Sequence, residues 1–297
     1  MRSRSITTKT EDRLSAALMI FPYLGFITVF VIIPVIYAFC MSFLDWGFYN
    51  TPAYVGLANY IFVIKDGKFF DAMVVAIKYA LIVVPSIFIF SFTIALLLKS
   101  LKGRLASVTK VAIYVPTVLS GVIASCIFVF IFDYMGGVAN VIMKFLGLDP
   151  VPWLTTPGYA MAAIVVPTVW LGFGGTSLIL LSGLNEIPQT YYEAASLDGA
   201  GSFRQLISIT LPCMKNIAGY VLITASIGAI QALDLPMLMT NGGPLNTTTT
   251  PNLLIYQHFK ADLTMGYTVA ASMMLFTIVA MGSVLVFKLI NSEKSMD

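Results

Sequence analysis

Of the stretches of this chain without Asp, Glu, Lys or Arg, six carry long hydrophobic runs: Leu14 to Leu44, Tyr79 to Leu98, Val111 to Phe132, Pro150 to Asn185, Asn216 to Leu233 and Leu263 to Phe287. About 20 consecutive apolar residues, wound as a helix, cross the hydrocarbon core of a bilayer. The runs therefore predict six transmembrane helices, near 14–42, 72–98, 108–132, 159–184, 212–240 and 266–290. Only 10% of the residues are charged, against roughly 25% in soluble domains. So few charges cannot coat a water-facing surface, and lipid is the expected solvent for most of this one. The expected class is an all-α, polytopic membrane protein.

The first run follows 13 mostly polar and charged residues. It is too long for a signal-peptide core, and no small-residue cleavage site clearly follows it, so a retained helix is expected. Lys and Arg set the orientation. With both termini in the cytoplasm, the inner segments hold Arg2, Arg4, Lys9, Arg13, Lys99, Lys102, Arg104, Lys110, Arg204, Lys215, Lys288 and Lys294. The outer segments hold Lys65, Lys68, Lys78, Lys144 and Lys260. Twelve against five favours this topology. It implies a cytoplasmic tail over 1–13, a first helix with its outer loop over 14–71, a core over 72–290 and a second tail over 291–297. The basic residues follow topology, so nucleic-acid binding has no support. Cys40, Cys126 and Cys213 are too scattered for a metal site or a disulfide framework.

Chemistry-bearing motifs are sparse. The single histidine, His258, falls in an expected outer loop with only Lys260 and Asp262 beside it. No phosphate-binding loop of the type G-x-x-x-x-G-K-[ST] occurs, so no ATP site is expected on this chain. "GFGG" at Gly172–Gly175 lies inside the fourth helix and reads as a close-packing or pore-widening site. Asp133 and Asp234 are the acids nearest membrane depth, both placed toward the outer mouth. Ion-driven transporters often place acids and paired interrupted helices at mid-membrane. No such pair of interruptions is expected here, which leaves the energy source outside the chain.

One polar stretch stands out between the fourth and fifth runs, "EAASLDGAGSFRQLISITLP" from Glu193 to Pro212. Pro188 suits the first turn of a short helix, and Gly199 suits a left-handed residue that ends it. Ser202 is placed to cap a second helix, which Pro212 stops or kinks. Two short helices meeting at a bend are expected, with Glu193 outward and Ala194 and Ala195 small enough for a close approach. With Glu186, Glu193 and Asp198 against Arg204 and Lys215, the loop is net acidic. That suits a basic protein groove better than anionic lipid.

The same stretch resembles the EAA motif of ABC importer permeases, roughly E-A-A-x-x-D-G-A followed after eight variable residues by I-x-L-P. Glu193, Ala194, Ala195, Asp198, Gly199, Ala200, Ile209, Leu211 and Pro212 match it. "SFLDWGF…YVGLANY", "YVPTVLSGVIASCIFVFIF", "VWLGFGGTSLILLSGLNEIP" and "MLMTNGGPLNTTTTPNLLIY" are similar to the sugar-permease branch that contains the maltose permease subunit. The resemblance implies the type I importer permease fold, with six helices and a cytoplasmic coupling loop over 186–212. It implies an inner-membrane protein of a bacterium or archaeon that binds no cofactor itself. ATP and Mg would sit on two cytoplasmic ATPase subunits, one of which takes the loop into a cleft. A second permease subunit would complete the channel, and an extracytoplasmic binding protein would deliver the solute.

A sugar site needs hydroxyl-matching groups and an apolar or aromatic platform in one cavity. Thr168, Trp170, Ser177, Thr224, Ser226 and Gln231 are the polar or amphipathic candidates at membrane depth. By resemblance, sugar-contacting positions of the maltose permease match Thr168, Leu171, Gly172 and Gly175, and further polar contacts match Ala225, Ala229 and Ala232. Here three alanines replace polar groups and Gly175 replaces an aromatic, which suggests a wider pore, a different solute or a solute held by the partner subunit. Close helix packing is the competing account of the same small residues. The function expected is import of a sugar or oligosaccharide, with the chain itself not an enzyme. Glycerol phosphates or another nutrient carried by the same architecture, and a stand-alone ion-coupled transporter, remain the alternatives.

Overall fold

A computed structural model of the chain describes residues 4–47, 51–262 and 265–291. It is helical, with one two-stranded ribbon. The elements are α1 (Arg4–Ile27), a π-helical turn (Thr28–Ile32), α2 (Ile33–Met41), β1 (Leu44–Asp45), β2 (Ala53–Tyr54), α3 (Ala58–Asp66), α4 (Lys68–Ser100), α5 (Gly103–Val118) and α6 (Gly121–Ile131). There follow α7 (Val138–Phe145), α8 (Tyr159–Glu186), α9 (Gln189–Leu197), α10 (Ser202–Gln205), a second π turn (Leu206–Thr210), α11 (Leu211–Cys213) and α12 (Lys215–Ile230). A third π turn (Pro236–Thr240), α13 (Pro251–Asp262) and α14 (Met265–Asn291) complete the order.

Four segments are long and apolar enough to cross a membrane: Leu18–Met41, Lys68–Ser100, Tyr159–Glu186 and Met265–Lys288. Two further candidates are bent pairs. α5 and α6 meet at 94°, and the stretch Ser202–Cys213 meets α12 at 71°. The chain is thus a multi-pass membrane protein, with four candidate spans among the described residues, or up to six if each bent pair is one span.

The bends correct two expectations. The third helix, expected unbroken over 108–132, breaks at Leu119–Ser120, where Leu119 turns extended and Ser120 accepts the amide of Ile123 to start α6. The fifth, expected over 212–240, bends at Met214 and breaks again after Ile230, before the π turn Pro236–Thr240. The carbonyls just beyond the end of α12 are taken by side chains: Thr250 donates to Ala232 O at 2.6 Å, and Asn252 donates to Gln231 O at 2.7 Å. Those bonds satisfy groups that a helix end leaves without partners. Two interrupted segments therefore exist where none was expected. His258 also lies on a helix, α13, rather than in a loop.

Two compact units divide the contacts, Met1–Asp66 with His258–Met274, and Gly67–Gln257 with Leu275–Asp297. In the first, the span Leu18–Met41 has none of its residues buried. An apolar helix with no protein over it needs lipid or another protein as its solvent. The ribbon pairs Leu44 with Tyr54 and Asp45 with Ala53. Asn59 pins it by donating to the carbonyls of Ser42 and Leu44 at 2.9 and 3.0 Å. The His258 ring packs on Tyr267.

In the second unit, α8 packs against α4 and α5, and α12 packs against α4. Small residues permit this, as they do between membrane helices generally. A side chain on Gly174 would strike the carbonyl oxygen of Ile113 on α5, so the two backbones touch there. Ser91 of α4 donates to Phe173 O of α8 at 3.0 Å. One apolar cluster surrounds Tyr79, Val83, Ile164 and Ala229. A second joins Ala95, Leu98, Leu180, Leu184, Met214 and Val221 beneath the polar loop.

Candidate functional site

α9 starts at Gln189, with Pro188 extended as its cap residue and outside the first turn where it was expected. The helix closes in a Schellman motif. Ala200 N–H donates to Ala195 O at 2.8 Å, and Gly199 N–H donates to Ser196 O at 3.1 Å. Gly199 has φ +78°, the left-handed conformation expected of it. Nothing lies within 4 Å of where its Cβ would be, so the glycine serves backbone geometry alone.

Ser202 does not cap the next helix with its side chain. It is the first residue of α10, and extended Gly201 holds the cap position with its carbonyl on Gln205 N–H at 3.0 Å. Gln205 also closes the bend, its side-chain amide donating to Ser196 Oγ and Ala200 O at 2.9 and 3.1 Å. The second helix is not regular. Leu206–Thr210 is a π turn whose final bond runs from Leu211 N–H to Leu206 O. Pro212 then sits in the first turn of α11, where its missing N–H costs little. The kink expected at Pro212 falls at Met214, whose backbone leaves the helical region.

The loop has an inner and an outer face. Tyr192 and Thr210 share a hydroxyl–hydroxyl bond of 3.0 Å, and Thr210 is buried. Tyr192 and Ile209 pack on the apolar cluster of α4, α8 and α12. Lys99, at the end of α4, donates to the carbonyl of Leu184 at 2.9 Å and stands 4.9 Å above the Tyr192 ring. On the outer face, Glu193, Ala194, Asp198 and Gly199 are exposed, and Ala195 and Ala200 are half-buried. Leu197 is 91% exposed and Phe203 75%. Sequence reasoning passed over Lys99, Leu197, Phe203 and Gln205. A basic residue in a helix's last turn was the available signal for Lys99.

The expected pathway residues divide. Thr168 donates to Ile164 O at 2.8 Å and shares a hydrogen bond with the Tyr79 hydroxyl, a bridge from α8 to α4. Leu171 offers its carbonyl to Thr117 at 3.1 Å, and Gly175 N–H donates to the same hydroxyl at 3.1 Å. A Cβ on Gly172 would come within 2.8 Å of Ile87, and one on Gly175 within 3.2 Å of Thr117. Ala229 is 3% exposed, with Ala225, Ala232 and Leu171 packed around the same cluster. Gln231, at the end of α12, is exposed. Leu171, Ala225, Ala229, Ala232 and, through Tyr79, Thr168 thus gather at one apolar cluster. Gly172 and Gly175 let α4 and α5 approach. Asp133 and Asp234 are both exposed, and Asp133 accepts the amides of Met135 and Gly136 as a turn cap.

Residues 64–289 match the family described as binding-protein-dependent transport system inner membrane component. The trehalose/maltose transport system permease protein MalF of Thermococcus litoralis is 36% identical over 245 residues, 82% of each chain. The sulfoquinovosyl glycerol transport system permease protein SmoG of Agrobacterium fabrum is 32% identical over 269 residues, 90% of this chain and 87% of that one. A chain in the crystal structure of a bacterial alginate ABC transporter, in complex with alginate pentasaccharide-bound periplasmic protein, superposes with a TM-score of 0.80. It is 18% identical and covers 94% of each chain.

Proposed function

The chain belongs to the binding-protein-dependent transport system inner membrane component family, and from that premise we propose that it is the permease subunit of an ATP-driven importer for a sugar or oligosaccharide. In this reading the bent pairs are single spans, giving six, with both termini in the cytoplasm of a bacterial or archaeal cell. The loop 186–212 then faces the cytoplasm. The printed functions of the relatives, trehalose/maltose and sulfoquinovosyl glycerol transport, support a carbohydrate solute.

The observation that carries the proposal is the two-faced loop. Its inner face, tied across the bend by the Tyr192–Thr210 bond, packs on the ends of α4 and α8, where Lys99 stands over Tyr192 and donates to Leu184 O. Its outer face presents Glu193, Leu197 and Phe203 to whatever docks there. A push on α9 is passed to α4 and α8 through packed groups, and to α12 through the kink at Met214. Such a joint suits two ATPase subunits that close on ATP and Mg. Those subunits carry the hydrolysis, and this chain binds no cofactor. A second permease subunit and an extracytoplasmic binding protein complete the assembly. The route for solute runs along the exposed edge at Gln231, flanked by the half-buried Ala225 and Ala232. Thr168, Leu171, Gly172, Gly175 and Ala229 hold the wall behind it.

The test is reconstitution in proteoliposomes with both ATPase subunits, the second permease and the binding protein. ATP-dependent uptake of a labelled oligosaccharide is expected, with none when the ATPase subunits are omitted. Uptake by this chain alone under an ion gradient would overturn the proposal.

A further inference from the structure

We propose that α7 is an interfacial anchor, seated with its apolar stripe in the outer headgroup–acyl boundary of the bilayer. The inference rests on the six-span reading proposed above, with both termini in the cytoplasm, and is independent of the solute.

Val138, Val141, Ile142 and Phe145 recur at helical spacing and are all exposed, Phe145 at 89%. The opposite side of the helix is fixed. Asn140 is 1% exposed and donates to the carbonyls of Asp133, Tyr134 and Val151. Its side-chain oxygen accepts Val151 N–H at 2.9 Å and the Trp153 indole at 3.0 Å. The elbow from α6 is equally fixed. A Cβ on Gly137 would lie 2.6 Å from the carbonyl of Ile131, and Asp133 caps the two preceding amides. The stripe therefore cannot rotate inward to bury itself.

What covers it follows from the level at which it sits. Trp153 packs on Phe132 at the end of α6 and on Tyr159 at the start of α8. The segment between those contacts is thus held where two membrane segments leave the hydrocarbon. Tryptophan and tyrosine collect at that boundary. α6 reaches α7 with an exposed apolar face of its own, including Ile123, Ile127 and Phe130. The stripe continues that surface. A short helix with one apolar face lies in the interface plane, and Lys144 can lift its ammonium to the headgroups.

The experiment uses the whole importer complex in nanodiscs of phosphatidylcholine and phosphatidylglycerol, with Cys40, Cys126 and Cys213 replaced. Bimane is attached at Phe145→Cys, at Val141→Cys as a second reporter, and at the exposed loop position Asp149→Cys. Lipids brominated high on the acyl chain should quench the labels at 145 and 141 roughly twofold or more, while aqueous iodide quenches the label at 149. Iodide quenching at 145 and 141 equal to that at 149 would show water over the stripe and overturn the proposal. Labels at 145 and 141 shielded from both quenchers would show a protein over it, and would overturn the proposal too.

Discussion

The Lys99 ammonium donates to the carbonyl of Leu184 at 2.9 Å while standing 4.9 Å over the Tyr192 ring. One side chain at the end of α4 therefore touches the last turn of α8 and the first of the loop helices. It satisfies a carbonyl that the end of α8 leaves without a helical partner, and holds α9 by a cation–π contact worth about 0.5–1 kcal/mol where exposed. Lys99→Met should leave the complex assembled but lower the solute moved per ATP hydrolysed, by roughly two- to fivefold if about 0.5–1 kcal/mol of coupling is lost. Lys99→Arg should recover most of it. An unchanged transport-to-hydrolysis ratio in Lys99→Met would remove this contact from the coupling path.

Gly199 makes a separable prediction, because its φ is +78° and an added Cβ meets nothing within 4 Å. The cost of substitution is that of a left-handed backbone, about 1 kcal/mol for alanine and less for asparagine. Proline also removes the N–H bonded to Ser196. Uptake should fall in the order Gly, Asn, Ala, Pro, with membrane insertion preserved and the proline variant inactive. An asparagine variant with less uptake than the alanine variant would mean that space, and not backbone geometry, limits this position.

Much of this joint is written in residues whose requirement is local. A glycine before a small residue, after a run of helix formers, announces a left-handed stop, and Gly199 obeys. The spans α4, α8 and α14 are legible for a similar reason, since length and absence of charge suffice. The break between α5 and α6 was not. "VPTVLSG" is uncharged like its flanks, so its Pro, Ser and Gly pass inside a hydrophobic run, and hydropathy holds no information about angle. The Ser120 hydroxyl on Ile123 N–H is the local sign of a new helix, and it is easily lost inside a hydrophobic run. The end of α12 was hidden because the carbonyls of Gln231 and Ala232 beyond it are satisfied by Asn252 and Thr250, about twenty residues away along the chain. The roles of Gly172, Gly175 and Ala229 depend on which helix lies opposite, and only packing decides that.

Glu193 is exposed on the outer face of α9. If it meets a basic groove of an ATPase subunit, the contact is a charge-assisted hydrogen bond, and losing it costs about 1–3 kcal/mol. Glu193→Lys should reduce recovery of the ATPase subunits in pull-down of the tagged chain, without changing solute affinity of the binding protein. Full recovery with normal ATP-dependent uptake would place the docking charge elsewhere on the loop.

Neighbouring glycines on α8 should behave oppositely. A Cβ on Gly174 overlaps the Ile113 carbonyl, which is backbone and cannot rotate away. A Cβ on Gly175 comes to 3.2 Å of the Thr117 methyl, which can shift. Overpacking costs about 1–3 kcal/mol, while replacing a mid-helix glycine with alanine returns up to about 1 kcal/mol. Gly174→Ala should lower the thermal midpoint of the purified complex, and Gly175→Ala should leave it within error or raise it. Equal losses at both would indicate that α5 and α8 are not in backbone contact.

The last prediction separates packing from pathway on α12. Ala229 lies in the cluster of Tyr79, Val83 and Ile164 at 3% exposure, while Gln231, two residues on, is exposed. Ala229 thus faces the wall, and Gln231, the cap residue just past the end of α12, faces the open edge. In a complex lacking Cys40, Cys126 and Cys213, a thiol at Ala229→Cys should react with a small water-borne maleimide at least about tenfold more slowly than one at Gln231→Cys, since reactivity tracks exposure. The rate at 231 should change when ATP and solute are added, because alternating access opens that edge to one side at a time. Equal rates at the two positions would put Ala229 in the aqueous route and move the wall behind it. A rate at 231 that no ligand alters, in a complex that still transports, would take the end of α12 out of the pathway.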